Sequence, residues 1–247
     1  MPYLNSLASQ HALATNYFAD THPSIGNYLM LTTGIVETND DFTTLTFSND
    51  SLVHAFASSG KTWKGYMESL PSVGYIGPDV YPYFKHHDPF AYLTDVLNSS
   101  SETANIVPFT QLTADLSAGA VPNFGFIVPN AEDDAHDCPG GGTNCTDADK
   151  LAAADTWLKT NIDPLINNPA LVNSVFIITF DEGEATDTTN VGGHVATVIV
   201  GAHVKAAFQG ATFFQHESTL RLILDLQRVS DHPGKSATAA EMTEFFQ

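Results

Sequence analysis

Residues 176–184 read FIITFDEGE, an apolar run that ends in two adjacent carboxylates, Asp181 and Glu182. The apolar, β-branched part predicts a fully buried strand. Paired carboxylates beside such a strand need a positive partner, and carboxylate oxygens suit Mg²⁺, Ca²⁺ or Mn²⁺. In open α/β sheets, ligands bind beyond the carboxyl ends of the strands, where this pair falls. The alternative is an acidic turn after a core strand, because Asp-Glu-Gly is common in turns.

A serine lies where a second polar segment, THPSIGN at residues 21–27, enters a predicted helix. The first N–H groups of a helix have no partner within the helix, so an anion can bind there. Ser24 in that setting could accept a transferred phosphoryl group as a nucleophile. The alternative is that Ser24 or Asn27 only caps the helix, which is a common role for both residue types.

A third polar segment follows the predicted strand at residues 123–128 and contains Asp133, Asp134 and His136. Carboxylates and an imidazole in one loop suit a metal or phosphate site, although a solvated acidic loop would have the same composition. His87 and His216 are further candidates for this site, and a structural role is the alternative for each.

The composition limits the possible partners. The 247 residues include 28 acidic and 9 basic side chains, for a net charge of −19. Such a surface repels nucleic acid and anionic membranes, and it repels phosphate-bearing substrates unless a bound cation reverses the local field. No stretch approaches the roughly 18 apolar residues that span a bilayer. We therefore expect no nucleic-acid partner and no integral membrane segment, and nothing implies a protein partner.

The only two cysteines, Cys138 and Cys145, bracket the glycine-rich sequence CPGGGTNC. Their closeness in a turn-rich segment predicts a local disulfide and an oxidising compartment. Two unpaired loop thiols are the alternative.

Helical and strand patterns alternate along the chain, which predicts an α/β fold in one domain over residues 1–247. We expect a largely parallel central sheet with helices on both faces. The predicted helices are 1–18, 27–33, 51–59, 90–97, 109–118, 149–166 and 218–226, and the predicted strands are 61–68, 123–128, 176–180 and 195–201. Residues 71–89, rich in Gly, Pro and Tyr, are predicted to be irregular and to carry binding groups.

Several segments together resemble the phosphoesterase family of the alkaline phosphatase superfamily. They are THPSIGNYLMLTTG, GKTWKGYMESLP, KHHDPF, VPFTQLTADL, PNFGFIVPNAEDDAHDC, FIITFDEGE, GGHVATVIVG and HESTLRLILDL. The family contains acid phosphatases, phosphatidylinositol-3-phosphatase-like enzymes and phosphatidylcholine-type phospholipases C. The resemblance runs in order over nearly the whole chain, and it implies an alkaline-phosphatase-like fold.

The resemblance also implies roles for individual residues. Ser24 would be the nucleophile and would face a divalent cation, Ca²⁺, Mg²⁺ or Mn²⁺ in preference to Zn²⁺. Asp181 and Glu182 would be metal ligands. Asn27 would lie near a phosphoryl oxygen. His87 would be a second substrate-binding residue.

Two further segments carry implied roles. Asp134 would supply a further metal ligand, and His136 would join it at the site. His216 resembles the late histidine that completes the site. Either His136 or His216 would protonate the leaving alcohol.

The resemblance implies a metal-dependent phosphoric ester hydrolase, an acid phosphatase that acts on small phosphate esters or phospholipid headgroups through a phosphoserine. The alternatives are a phospholipase C-type phosphodiesterase and a truncated, non-catalytic remnant that binds phosphate or a cation. Family members begin with a strand that ends in an acidic-Asn-His motif, and we expect that first strand to be lacking here. The resemblance and the cysteine pair also imply a secreted or periplasmic protein.

Overall fold

The computed structural model describes residues 1–247. The α-helices are α1 (Pro2–Gln10), α2 (Ser24–Thr33), α3 (Leu52–Ser58), α4 (Thr94–Leu97), α5 (Ser100–Thr103), α6 (Gln111–Ala118), α7 (Asp147–Asn161), α8 (Asp163–Ile166) and α9 (His216–Leu226). The strands are β1 (Ala12–Ala14), β2 (Trp63–Met67), β3 (Ile106–Pro108), β4 (Phe124–Val128), β5 (Val175–Thr179), β6 (Thr197–Gly201) and β7 (Phe208–Gly210).

The strands form two sheets. One has the order β3-β2-β4 and is parallel throughout, and the other has the order β5-β6-β1-β7. In the second sheet β1 pairs with β7 in parallel, whereas β6 is antiparallel to both of its neighbours. Parallel pairings therefore dominate, and the predicted α/β class is confirmed. The difference from the expectation is that the strands are divided between two sheets.

The two sheets share the same helix layers. Phe126 of β4 and Ile177 of β5 both pack against the core formed with α2, α3 and α9. Ile127 of β4 and Ile178 of β5 pack against the opposite core, formed with α1, α6 and α7. Because neighbouring residues of a strand face opposite sides, this alternation places helices on both faces, as predicted.

Two helix predictions were wrong at their ends. The helix predicted for residues 1–18 stops at Gln10, because Ala12–Ala14 pairs with β6 and β7 instead. The helix predicted for 149–166 is broken between Asn161 and Asp163. Pro164 explains the break, since it lacks an N–H and its ring clashes with the preceding turn. Residues 90–97 form a 3-10 turn at Pro89–Tyr92 followed by α4, and the sequence prediction missed β3 and β7.

Helix α2 is the element that positions the candidate nucleophile. All ten of its residues are buried, so packing on both sides fixes the helix. It ends at Gly34, whose φ of 72° is the left-handed conformation that glycine adopts without strain. The predicted helix of residues 27–33 is therefore confirmed at its end and begins three residues earlier, at Ser24.

Candidate active site

Ser24 and Glu182 meet at the start of α2. Ser24 is the first residue of the helix and is 4% exposed. Glu182 lies just beyond the end of β5, and Ser24 Oγ donates a hydrogen bond to its Oε1 at 3.0 Å. A carboxylate in this position can take the hydroxyl proton, so the pair has the geometry of a nucleophile and its base.

His22 holds the other oxygen of the same carboxylate. Its Nδ1 contacts Glu182 Oε2, and its Nε2 lies 3.0 Å from the carbonyl oxygen of Asp187. Burial lowers the pKa of His22, but the Asp187 carbonyl and Glu182 outweigh burial and raise it above its ordinary value. His22 was not among the predicted site residues, although it lies two residues before Ser24 in the segment THPSIGN.

The pKa of the Glu182 carboxyl group is raised by its surroundings. Burial and repulsion from Asp181 raise the pKa of Glu182, and the hydrogen bonds from His22 and Ser24 oppose that rise. A base whose pKa is raised holds a proton more readily at neutral or mildly acidic pH.

Asp181 lies two residues beyond the end of β5 and presents an unsatisfied oxygen. Its Oδ2 is buried and has no hydrogen-bond partner. Its backbone carbonyl oxygen contacts Nε2 of His216, the first residue of α9. The His216 Nδ1 lies 3.0 Å from the hydroxyl of Tyr17. Both ring nitrogens of His216 are therefore occupied by protein atoms.

His216 is completely buried, and burial lowers its pKa. The structure thus places this predicted residue next to Asp181, where it joins α9 to the end of β5. A group in that position supports the segment that follows β5.

Asn27 lies in the first turn of α2, and its side chain reaches the loop that precedes Ser24. Its side-chain oxygen accepts hydrogen bonds from the backbone N–H groups of Asp20 and Thr21 at 2.9 and 3.1 Å. Its amide donates to the Thr21 carbonyl at 2.9 Å, and the residue is 0% exposed. In this structure Asn27 therefore stabilises the loop that carries His22 and Ser24.

His87 and Asp134 form a buried pair beside α2. His87 Nδ1 lies 3.2 Å from Asp134 Oδ2, and the imidazole stacks on Tyr28 of α2 with ring centroids 5.1 Å apart. Burial lowers the pKa of His87, but Asp134 outweighs burial and raises it. His87 is 4% exposed, and its Nε2 has no partner. That nitrogen is a free donor for a bound anion.

His86 is a second buried histidine that the sequence reasoning did not select. Its ring lies 4.4 Å from the ring of His87, and its Nδ1 has no partner. Burial and repulsion from His87 lower the pKa of His86 to about 4. The two adjacent imidazoles therefore differ in charge over most of the acidic range, with His86 neutral.

His136 lies at the edge of the same cluster and is the accessible imidazole. Its side chain is 47% exposed, its ring lies 5.7 Å from that of His87, and its Nδ1 lies 3.0 Å from Asp137 Oδ1. Its backbone N–H donates to Asp134 Oδ1 at 2.8 Å, so the loop brings both predicted residues to this side of α2.

Four carboxylates converge on Tyr28. Burial raises the pKa of its phenol, and Asp181, Asp134, Glu182 and Asp41 each raise it further. At the start of α2, the Glu182 carboxylate accepts from Ser24 and the Asp41 carboxylate accepts from Ile25. An anionic ligand at this end of the helix therefore needs a positive partner.

The donor set suits a hard cation. Asp181 Oδ2 is a buried oxygen without a hydrogen-bond partner, and an unsatisfied buried carboxylate oxygen is costly unless a cation binds it. Asp181, Glu182 and the Ser24 hydroxyl all lie at the same strand-and-helix junction. Asp134 is paired with His87 instead, so its role as a ligand stays a prediction.

Three side chains elsewhere on the protein have the spacing of metal ligands. The ligand atoms of Asp50, His54 and Asp231 lie within 4.8 Å of one another, and all three residues are exposed. Exposed carboxylates are well solvated without a metal, so this spacing does not by itself define a site.

Asp133 points to another region of the surface. It lines an open cavity of about 550 Å³ beside α7, together with residues such as Trp157. Burial and the neighbouring carboxylates, Glu68 first, raise the pKa of Asp133 to about 6. Of the acidic loop, only Asp134 and His136 therefore face the cluster around His87.

Cys138 and Cys145 form the predicted disulfide, which is confirmed. The bond closes the loop directly after the segment that carries Asp134 and His136.

None of the helices combines the length and the apolar composition needed to cross a bilayer.

Solved structures of other proteins have a similar fold. A protein of the alkaline phosphatase superfamily from Vibrio parahaemolyticus has a similar structure, with a TM-score of 0.67 and 14% sequence identity over 99% of this chain and 65% of that chain. The phosphonate monoester hydrolase of Silicibacter pomeroyi is also similar, with a TM-score of 0.57 and 12% identity over 99% of this chain and 71% of that chain. The chain has the α/β fold of these proteins.

The sequence defines the family more closely. Residues 1–230 match the Phosphoesterase family, and the chain belongs to that family. It is 31% identical to the phosphate-repressible acid phosphatase of Penicillium chrysogenum over 87% of this chain and 52% of that protein. It is 28% identical to the phosphatidylinositol-3-phosphatase of Mycobacterium tuberculosis over 99% of this chain and 75% of that protein. The chain spans about half the length of the fungal relatives that it matches.

Proposed function

We propose that this chain carries the catalytic site of a metal-dependent phosphoric ester hydrolase of the acid phosphatase type. The observation that carries the proposal is the hydrogen bond from Ser24 Oγ to Glu182 at the first turn of α2. A nucleophile, a base and a helix N-terminus together suit attack on a phosphoryl group. The membership in the Phosphoesterase family and the names of the relatives support the same reaction class.

In this proposal Ser24 forms and then releases a phosphoserine. Glu182 takes the Oγ proton as Oγ attacks phosphorus, the new O–P bond forms, and the bond from phosphorus to the leaving alcohol breaks. His136, whose side chain is 47% exposed, acts as the acid and gives a ring proton to the leaving oxygen. A water molecule then attacks phosphorus with His136 as the base, and Ser24 leaves with a proton from Glu182.

His87 binds the phosphoryl group in this proposal. Its free Nε2 donates to a phosphoryl oxygen, while Asp134 at Nδ1 keeps the ring protonated. A positive donor in a buried setting stabilises the charge that develops during phosphoryl transfer. His87 is charged in acid, whereas Glu182, whose pKa is also raised, acts as a base only where it is deprotonated, so activity should peak in mild acid and fall on both sides of that peak.

The cation of the proposed enzyme is held by Asp181 and Glu182 beside the Ser24 hydroxyl. Such an ion lowers the pKa of a nearby hydroxyl and offsets the repulsion between the acidic cleft and a phosphate ester. We propose Ca²⁺, Mg²⁺ or Mn²⁺ because the donors are oxygen atoms. We also propose a secreted or periplasmic location, which the disulfide and the fungal acid phosphatase relatives support.

The test is hydrolysis of p-nitrophenyl phosphate from roughly pH 4 to 8, before and after removal of cations with EDTA. The proposal expects turnover that is greatest in acid, falls with EDTA and returns with a divalent cation. Ser24→Ala should lower kcat by roughly 1,000-fold, whereas Ser117→Ala, an exposed serine on α6, should not change it. Phosphate binding without turnover in the wild type would instead indicate a non-catalytic binding protein.

A further inference from the structure

A carboxylate from a distant loop caps the helix that carries Ser24. Ile25, the next residue, donates its backbone N–H to Asp41 Oδ1 at 3.1 Å. The residue at the N-cap position, Pro23, makes no side-chain cap, so Asp41 satisfies this end of α2 from 16 positions further along the chain. A carboxylate on this amide occupies a position that an oxygen of a phosphoryl group would otherwise take.

The loop is held firmly against the helix. Thr21 Oγ1 donates to Asn39 Oδ1 at 3.1 Å. A Cβ atom on Gly26 would lie 2.5 Å from Asn39 Oδ1 and 3.0 Å from the carbonyl oxygen of Thr38. The approach of residues 38–41 to α2 therefore requires glycine at this position, and the position of Asp41 is fixed by packing.

The buried donor His87 lies in the same region. Its Nε2 has no partner, and the residue is 4% exposed. Asp41 is among the charges that raise the pKa of His87 and of Tyr28, so its carboxylate lies within electrostatic range of both rings. The geometry that fixes its position is the bond to the Ile25 amide, which places the Asp41 carboxylate beside Ser24, where it repels an anion bound at Ser24.

We propose that Asp41 is a specificity-determining residue that makes the phosphoryl site favour ligands with one negative charge over ligands with two. The proposal rests on the proposed function, since it takes Ser24 as the point where the phosphoryl group binds. Coulomb energy scales with the product of the charges, so a dianion is repelled by Asp41 twice as strongly as a monoanion. The substrate class that follows is a phosphodiester or a singly ionised monoester.

The test compares the affinity of the metal-loaded protein for two ligands that do not depend on turnover. Inorganic phosphate is largely a dianion at mildly alkaline pH, and dimethyl phosphate is a monoanion. Asp41→Asn keeps an oxygen that can accept the Ile25 N–H and removes only the charge. It should tighten phosphate binding about tenfold and dimethyl phosphate binding about threefold, as measured by calorimetry.

Asp40→Asn is the matched control, because it removes the same charge from the adjacent residue, which is exposed and accepts only the N–H of Phe42. It should leave both affinities within about twofold of the wild type. Asp41→Ser, which also offers an acceptor at the helix end, is a second variant if Asp41→Asn lowers the urea midpoint.

The outcomes separate the two proposals. If the wild type hydrolyses p-nitrophenyl phosphate but Asp41→Asn leaves phosphate affinity unchanged or weakens it, the role of Asp41 is wrong and the proposed function stands. If Asp41→Asn tightens phosphate binding selectively in a protein without turnover, the charge role stands and the proposed hydrolysis is wrong. An equal change for both ligands, or no phosphate binding in any variant, contradicts the role of Asp41.

Discussion

Ser24 Oγ and Glu182 Oε1 lie 3.0 Å apart, although 158 positions separate the two residues in the chain. The contact exists because the start of α2 and the end of β5 lie next to each other in the fold. Ser24 is the first residue of α2, and Glu182 follows the end of β5. The contact joins the segments THPSIGN and FIITFDEGE, which carry the candidate nucleophile and the candidate metal ligands. The proposed reaction depends on this contact, and the predictions below test its parts.

Glu182→Gln should remove the base while it keeps the size of the side chain. An amide cannot take the Ser24 proton and binds a cation weakly, so kcat should fall by about 100-fold or more and Mn²⁺ affinity should fall with it. Steady-state kinetics and calorimetric Mn²⁺ titration measure both effects. The control is Glu184→Gln, an exposed residue that bonds only to Thr186. Wild-type kcat in Glu182→Gln would contradict the role of Glu182.

His22→Ala should act through Glu182 and not through substrate binding. The imidazole of His22 contacts Glu182 Oε2 and the carbonyl oxygen of Asp187, and it makes no contact with His87. We expect kcat to fall about tenfold with KM nearly unchanged, and His22→Asn, which can place an N–H near the Nδ1 position, should recover part of the loss. His203→Ala, an exposed histidine, is the control. A change confined to KM would mean that His22 contacts the substrate.

Gly26→Ala should destabilise the protein even though alanine is the better helix former. The gain in helix propensity is about 1 kcal/mol. A Cβ would lie 2.5 Å from both Asn39 Oδ1 and Thr21 Cγ2, and overpacking of this kind costs about 1–3 kcal/mol. The steric cost should win, and the free energy of unfolding in urea should fall by up to about 2 kcal/mol. A variant as stable as the wild type would mean that the loop of residues 38–41 moves away freely.

Asp20 and Glu217 form a half-buried acidic pair that should make stability depend on pH. Burial and Glu217 raise the pKa of Asp20 to about 7, while the N–H of His216 donates to Asp20 Oδ2 at 3.2 Å. Between the unfolded pKa of about 3.9 and about 7 the folded state therefore binds more protons than the unfolded state. The contribution of Asp20 to stability is present in acid and is lost as the pH rises through this window.

Glu217→Gln tests this dependence, because it removes the repulsion and should reduce the fall in the free energy of unfolding between about pH 5 and pH 7.5 by roughly 1–2 kcal/mol. Urea unfolding at several pH values measures the change. Asp147→Asn is the control, since its side chain is 84% exposed. An unchanged slope in Glu217→Gln would show that the two carboxyl groups are not coupled.

The parts of the site that the sequence predicted are those with a strong local pattern. FIITF is a β-branched apolar run, so β5 and the position of Asp181 and Glu182 beyond its end followed from the periodicity. Ser24 was recognisable because a polar loop there enters an apolar helix. The local patterns gave these positions but left a helix cap and an acidic turn open as alternatives, and the family resemblance supplied the predicted roles of nucleophile and metal ligands.

The parts that were missed depend on contacts between distant segments. His22 gains its role only because Glu182, 160 positions away, meets it, and Asp41 gains its role from a loop that folds back on α2. Strand β1 was predicted as helix because Ala and Leu favour helices, and its pairing with β6 and β7 overrides that preference. Contacts between distant segments leave no local pattern of residue types, so these features could not be predicted from neighbouring residues.

The central claim is that Ser24 carries the phosphoryl group during turnover. The most direct measurement is acid quenching of the metal-loaded protein during hydrolysis of a phosphate ester, followed by proteolysis and mass spectrometry. The account predicts one added phosphoryl group on the peptide that contains Ser24, and none in Ser24→Ala. A phosphoryl group on a histidine, or turnover by Ser24→Ala at the wild-type rate, would contradict it.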